Sequence, residues 1–431
     1  MQLVREFCSS GHCVQCAVGR AGAGKTTAMR AAVTAWQTAG YRVIGTAVKG
    51  EAARHIGVAA GIPTETVAWY LSRRDPAETQ LDERTVLIID EASTVPDREL
   101  VRLLELVSVT GAAVRLIGDP AQHGAVGAGG MFRVLCERHP HTTPELLQTH
   151  RVQHAGDRAA AEALRNGRVD EALQLLESSG HLHILDNEVD LHLDLLRRWW
   201  QGRQTGADHP MVDRRNATRH TLNRLAHRLL QAAGEVGSEE LAAAGERGFA
   251  VGDLVVSRRA ERRLHVAGDP DAYVRNGALG TVIQVERRRN RREDRLTVRF
   301  DGTGTIELPR AFFDEHRHPS GRQDVGVDHA YAVTSYGVQG ATFESSASRL
   351  DERASRAEAY VDITRGRSAN HLYLTRSPDP LDVEALPKVP PSPIDDVVIE
   401  RLRRSGPEVT AIELDPHALR RRSRSEQALG L

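Results

Sequence analysis

Gly19-Arg20-Ala21-Gly22-Ala23-Gly24-Lys25-Thr26 is a glycine-rich loop closed by a lysine and a hydroxyl, between an alternating apolar segment and an amphipathic stretch. Between a strand and a helix, such spacing lets successive backbone N–H groups point inward at a phosphate, and the helix N-terminus adds its dipole. The loop residues Gly19, Gly22, Ala23 and Gly24 supply the cradle, and Thr27 extends it along the first helical turn. Lys25 is placed to bridge the β- and γ-oxygens of a nucleotide, and Thr26 to hold Mg²⁺. A loop of this kind needs a parallel sheet whose strand ends carry the ligand, so the expected class is α/β.

Val86-Leu87-Ile88-Ile89-Asp90-Glu91 is the complementary signal. A continuous apolar run reads as a strand buried on both faces, and it delivers two carboxylates at its C-terminal edge. Asp90 is the expected Mg²⁺ ligand. Glu91 is the expected general base for an attacking water. These two motifs specify a nucleoside triphosphatase and leave its kind open.

Strands are expected at 13–18, 42–46, 85–90 and 113–118, with helices at 26–39 and 97–108 between them, as in a doubly wound sheet. Residues 151–235 read mainly as helix, with strands near 181–185 and 209–212. The texture then changes. β-Branched runs at 251–256, 280–285 and 296–300, split by Gly, Asn and Asp turns, predict a small β-barrel. The resulting division is a first α/β domain at 1–147, the second domain's first part at 148–244, an inserted barrel at 245–322, and the second domain's remainder at 323–376. Residues 377–431, Pro-rich and then Arg-rich, read as a flexible tail.

Composition matters at three points. Of 57 basic residues only Lys25, Lys49 and Lys388 are lysines. A lysine kept under so strong an arginine bias marks a site that needs a compact ammonium. Four cysteines are too few for a disulfide scaffold, and Cys13-Val14-Gln15-Cys16 beside His12 lacks the second ligand pair of a zinc site, so it reads as the strand entering the phosphate loop. No apolar run approaches the roughly 20 residues that span a bilayer, which points to a cytoplasmic protein.

Beyond the two nucleotide motifs, the chain from about residue 14 to 375 resembles superfamily 1 helicases. Within them it is most similar to the motor part of conjugative relaxase-helicases and RecD-like enzymes. Asp90-Glu91-Ala92-Ser93, Gly118-Asp119-Pro120-Ala121-Gln122 and Thr149-His150-Arg151 look like that family's second, third and fourth motifs. Residues 331–344 resemble the fifth motif and 360–370 the sixth. The resemblance implies two RecA-like domains around one Mg-ATP site, with an SH3-like barrel inserted in the second. It implies that Gln122 senses the γ-phosphate, that Arg151 reaches the γ-phosphate, that Arg365 acts as arginine finger, and that Gly340 lies on the nucleotide side. It places Thr46, Lys49, Thr334, Tyr336 and Thr342 on single-stranded DNA. The implied activity is 5′-to-3′ unwinding or translocation, with duplex junctions as substrates and a relaxase or conjugation machinery as partner.

Departures from the pattern are specific. His123 stands where the family usually has Leu, and Tyr336 where His is common. The family's adenine-reading glutamine lies upstream of the phosphate loop, where this chain offers only Gln2 and Gln15. Only 18 residues precede Gly19, too few for a relaxase's nicking tyrosine and histidine cluster. A repair-type RecD-like subunit, and an ATP-gated DNA-binding module that does not unwind, are the alternative readings. Trp199-Trp200 reads as an apolar helix face, and Arg287, Arg288, Arg289, Arg291 and Arg292 equally as a phosphate-contacting cluster or a solvated hairpin tip.

Overall fold

The computed structural model describes residues 2–73, 75–206, 209–317, 323–376, 395–406 and 410. The chain divides into two compact units. One is built from residues up to Val48 and from Ala52–His150, the other from Lys49–Glu51 and Arg151–Arg403.

The first unit is a parallel sheet of six strands, β1 (Val14–Gly19), β2 (Arg42–Ala47), β3 (Thr64–Thr66), β4 (Thr85–Ile89), β5 (Ala113–Gly118) and β6 (Glu145–Leu146). Their order is β3-β2-β4-β5-β1-β6, and every pairing is parallel. Alternate residues of each strand face opposite helical layers. Val18, Ile44, Leu87, Ile89 and Leu116 enter one core with Leu100 and Leu103. Ala17, Val43, Val86, Ile88 and Ile117 enter the other with Met29, Val33 and Trp36. The apolar run at 86–89 is therefore apolar throughout because neither face of β4 meets water.

The second unit opens on helices Ala155–Arg165 and Val169–Ser178, then β7 (Leu182–Leu185), helix Glu188–Gln204, β8 (Met211–Asp213) and helix Asn216–Ala232. Its insert follows as β9 (Leu241–Ala243), β10 (Arg247–Phe249), β11 (Leu254–Ser257), β12 (Glu261–Val266), β13 (Asp269–Val274), β14 (Leu279–Glu286), β15 (Arg295–Phe300), β16 (Gly304–Pro309), β17 (Glu315–Arg317), β18 (Gln323–Val325) and β19 (Val327–His329). The last strands are β20 (Ala332–Val333), β21 (Phe343–Arg349) and β22 (Gly366–Thr375). A second parallel sheet runs β20-β8-β21-β22-β7. Leu191, Leu195 and Trp199 pack on it through Met211, Ala347 and Tyr373, so Trp199 is a core residue with 5% exposure.

The insert is antiparallel, in the order β16-β15-β14-β11-β19. Its sheet takes in β19, past residue 322, because Val327 belongs to the insert's own core with Val255, Val298 and Phe300. Arg287–Arg292 form an exposed tip between β14 and β15. Most of 377–431 lies outside the described residues. Within that stretch Asp395–Arg404 is a helix that buries Val398 and Leu402. No helix among the described residues is long and apolar enough to cross a membrane.

Candidate nucleotide and nucleic-acid site

The helix Lys25–Thr38 begins at Gly24, whose φ of 77° lies in the left-handed region, and no side chain caps it. Its first N–H groups are thus left for an anion, which is the reason for a glycine there. Lys25 Nζ donates to the Gly19 carbonyl at 3.3 Å and lies 3.6 Å from Glu91 Oε1. Thr26 and Thr27 are exposed at the helix start, and Gly22 accepts from the His150 N–H at 2.9 Å. The fourth-motif segment through His150 is in this way fastened to the phosphate loop.

β4 ends at Ile89, and Asp90 follows with its N–H bonded to the Thr46 carbonyl at 3.0 Å. Burial, and then the charge of Glu91, push the Asp90 carboxyl up to about 6, while Lys25 pulls it back. Glu91 adopts φ 49° and ψ 44°, a left-handed conformation that costs a non-glycine residue about 1 kcal/mol or more. Strain of this kind at a carboxylate facing Lys25 is a mark of a functional position. Thr26 and Asp90 offer a hydroxyl and a carboxylate oxygen, the hard donors that suit Mg²⁺.

Gln122 closes the same edge. It is 4% exposed, its Nε2 reaches Asp119 Oδ2 at 3.5 Å, and its Oε1 is a buried acceptor with no hydrogen-bond partner among the described residues. An orphaned amide oxygen of this kind costs about 1–3 kcal/mol, and a water or bound group that donates to it removes the cost. Gln15 is occupied elsewhere: its Nε2 donates to the Thr142 carbonyl at 3.0 Å inside the sheet. The side chain of Gln2 lies outside the described residues.

In the second unit Arg365 is 1% exposed. Its Nε donates to the Val361 carbonyl at 2.8 Å and its Nη2 to Thr364 Oγ1 at 2.8 Å. Its Nη1 reaches the Val338 and Ala341 carbonyls, each at 3.4 Å. The guanidinium therefore pins the 338–341 turn, which includes Gly340, to the sixth-motif helix. Arg151 Nη1 donates to the Thr364 carbonyl at 3.3 Å, and Arg367, two residues on, is exposed.

The expected DNA contacts are placed unequally. Thr46 is fully buried at the end of β2, so its hydroxyl faces no solvent. Lys49, whose contacts group it with the second unit, lies 3.7 Å over the Tyr336 ring and donates to the Tyr336 carbonyl. Thr334 Oγ1 accepts from the Gly337 N–H at 2.9 Å as a helix cap, which fixes the turn that carries Tyr336. Thr342 is half-buried just beyond that turn.

The AAA domain family matches residues 1–187. The probable conjugal transfer protein TraA of Sinorhizobium fredii is 29% identical over 83% of this chain and 30% of its own length. The conjugal transfer protein TraA of Agrobacterium fabrum is 31% identical over 83% of this chain and 30% of its own. In fold, the Pif1 helicase from Bacteroides in complex with ADP-AlF3 and ssDNA aligns over 87% of this chain and 91% of that one, at TM-score 0.55 and 17% identity. The Pif1 helicase from Candida albicans aligns over 88% and 94%, at 0.54 and 16%. This chain carries an AAA domain at residues 1–187 and is similar over most of its length to part of the conjugal transfer TraA proteins. It spans about a third of the curated relatives it matches.

Sequence reasoning found the strand-end carboxylates and the loop because both are contiguous. It missed the histidines His154, His181, His183, His209 and His371, which the second parallel sheet and its flanking helix gather into one place. His154 and His181 lie 4.7 Å apart between ring centres, and His181 and His371 4.6 Å. Their spacing in sequence carries no signal.

Proposed function

We propose that the chain is an ATP-driven DNA motor that moves 5′-to-3′ along single-stranded DNA and separates duplex at a junction, in conjugative transfer. The observation that carries the reading is the grouping of Lys25, Glu91, Asp90 and the Gln122 Oε1, which has no partner among the described residues, at one edge of a parallel sheet. Lys25 would hold the β/γ-phosphate bridge, and the free N–H groups after Gly24 would bind the phosphates. Glu91 would orient a water and accept its proton at the carboxylate. Mg²⁺, held by Thr26 and Asp90, would neutralise phosphate charge. Gln122 would gain a donor when the γ-phosphate or its water is present and lose it afterwards. Arg151 and Arg365 are assigned by the resemblance to the charge on the transferring phosphoryl group. Lys49, Thr334, Tyr336 and Thr342 would contact the strand, with Thr46 supporting them from within the sheet.

The test is unwinding of 5′-tailed against 3′-tailed duplexes alongside DNA-stimulated ATPase. Separation of the 5′-tailed substrate alone supports the proposal. Separation of the 3′-tailed one reverses the polarity. ATPase without separation would instead make the chain an ATP-gated DNA-binding module.

A further inference from the structure

We infer that His154, Asp157 and His181 form a binding site for one first-row divalent metal ion, zinc before others, on the second unit. Their ligand atoms lie within 4.8 Å of one another. Asp157 Oδ1 is 2.6 Å from His181 Nδ1 and 3.2 Å from His154 Nδ1. A tetrahedral ion with ligands at about 2.0–2.1 Å sets neighbouring ligand atoms about 3.3 Å apart. Of the two spacings to Asp157, one already fits and the other has to open by less than an ångström, and the two histidine ligand atoms lie within 4.8 Å of each other.

The hydrogen bonding here leaves the His154 Nδ1 with two competing roles that a cation would reconcile. His154 caps the helix Ala155–Arg165, and its Nδ1 accepts from the Asp157 N–H at 3.3 Å. That role needs an unprotonated Nδ1, yet the same atom faces a carboxylate oxygen at 3.2 Å. Two acceptors at that distance repel unless a positive centre lies beside them. An ion drawing on both removes the conflict, and imidazole nitrogens with one carboxylate are the donor set zinc accepts readily.

The surroundings are those of a built site. Asp157 is fully buried, and its other oxygen is held by the Asn370 N–H at 2.8 Å and by Asn370 Nδ2 at 3.2 Å. Oδ1 is thereby aimed, as outer-shell partners aim metal ligands. His154 is partly exposed and leaves a path for the ion and for a water as fourth ligand. A Cβ on Gly156 would come 2.1 Å from Ser179 Oγ and 3.1 Å from His154 Cε1, so glycine there leaves room for both side chains.

Asn370 extends the site's reach. Its Oδ1 accepts from the Gly366 N–H at 2.6 Å, and its Nδ2 donates to the Gly366 carbonyl at 3.1 Å. The Gln153 N–H, next to His154, donates to the Arg367 carbonyl at 2.8 Å. An ion here would stiffen the segment that carries Arg151 and Arg365. This consequence for turnover rests on the proposed function; the binding itself does not.

The test is titration of the full, nucleotide-free chain with Co²⁺. The expected result is an intense visible band of four-coordinate cobalt saturating at one equivalent and displaced by Zn²⁺. His154→Ser keeps a helix-capping oxygen, and His181→Gln keeps a donor to Asp157. Each should weaken binding about tenfold or more, the lower bound set by losses of outer-shell partners alone. Three results overturn the inference: no saturating band, a band unchanged in the double variant, or sulfur-to-cobalt charge transfer pointing to Cys13 and Cys16. Because the parental titration is decisive by itself, a variant that fails to fold does not rescue the idea.

Discussion

Arg151 donates to the carbonyl of Thr364, the residue immediately before Arg365, while Arg365 spends its own guanidinium on the backbone around it. The two arginines that the helicase resemblance assigns to phosphate chemistry thus share one peptide. Arg365 therefore has a structural task beside the catalytic one the resemblance assigns to it, whereas the Arg367 side chain is exposed.

Arg365→Ala should lose turnover by about 10³-fold, as expected for an arginine finger. It should also lower the melting temperature, because four backbone or hydroxyl acceptors lose their donor in a buried place. Arg367→Ala should leave both quantities near parental values, since its side chain is exposed. Steady-state ATPase and thermal melts of both proteins check this. Equal defects in the two would defeat the division of roles.

Lys25 and Glu91 lie 3.6 Å apart, so each removal deprives the other of this contact. Lys25→Ala should abolish turnover and weaken nucleotide binding together. Glu91→Gln should keep nucleotide binding while slowing hydrolysis by about 10²–10⁴-fold, the range for a general base. Parental hydrolysis by the Glu91→Gln protein would remove Glu91 from that role.

Gln122 makes a cleaner case, because its Oε1 has no partner to lose. Gln122→Leu removes a buried unsatisfied acceptor worth about 1–3 kcal/mol of penalty. Against that gain the variant loses only the long 3.5 Å donor to Asp119, so it should melt close to the parent, and yet uncouple ATP hydrolysis from strand separation. A stable variant that still unwinds at the parental rate per ATP would show that the amide relays nothing.

The legible part of this chain was the part in which chemistry and fold coincide locally. Val86–Glu91 reads directly because a doubly covered strand is apolar at every position and its carboxylates come next. Gly24 reads because a left-handed N-cap tolerates little else. Arg365 did not read as buried, since in an arginine-rich chain no local pattern separates a guanidinium that satisfies carbonyls from a solvated one. The histidine cluster was invisible for a different reason. His183 lies beside Tyr373 only because β7 pairs with β22 across nearly the whole second unit, a register that no periodicity encodes. The helix Asp395–Arg404 was hidden by its charged, proline-flanked context, although Val398 and Leu402 are spaced as one buried helical face.

The His227–Asp253 pair fixes the insert to the helix Asn216–Ala232, and it should make stability depend on pH in a definite direction. His227 Nδ1 lies 2.7 Å from Asp253 Oδ1, and Tyr331 donates to the same oxygen at 2.6 Å. Burial alone would push His227 down. The hydrogen bonds and charges of Asp253 and Glu240 outweigh it, so the imidazole is held above its ordinary value of 6.5. Burial likewise pulls the Asp253 carboxyl up, but His227 and His329 hold it well below the usual carboxylate range. The folded state therefore binds the His227 proton more tightly than the unfolded chain does. The resulting stability is complete below pH 6.5 and is lost as the pH rises through the raised value, at no more than about 1.4 kcal/mol per pH unit for one proton. On the acid side the Asp253 contribution persists to well below the ordinary carboxylate range. His227→Gln retains a donor toward Asp253 but does not titrate, so its melting temperature should fall less steeply than the parent's between pH 6 and 8. Asp253→Asn should be the more damaging change at every pH, because removing one partner of a buried pair costs about 3–5 kcal/mol. Thermal melts of the three proteins across that range decide the matter. An identical slope for parent and His227→Gln would mean that the imidazole stays neutral in the folded protein and that the pair is an ordinary neutral hydrogen bond.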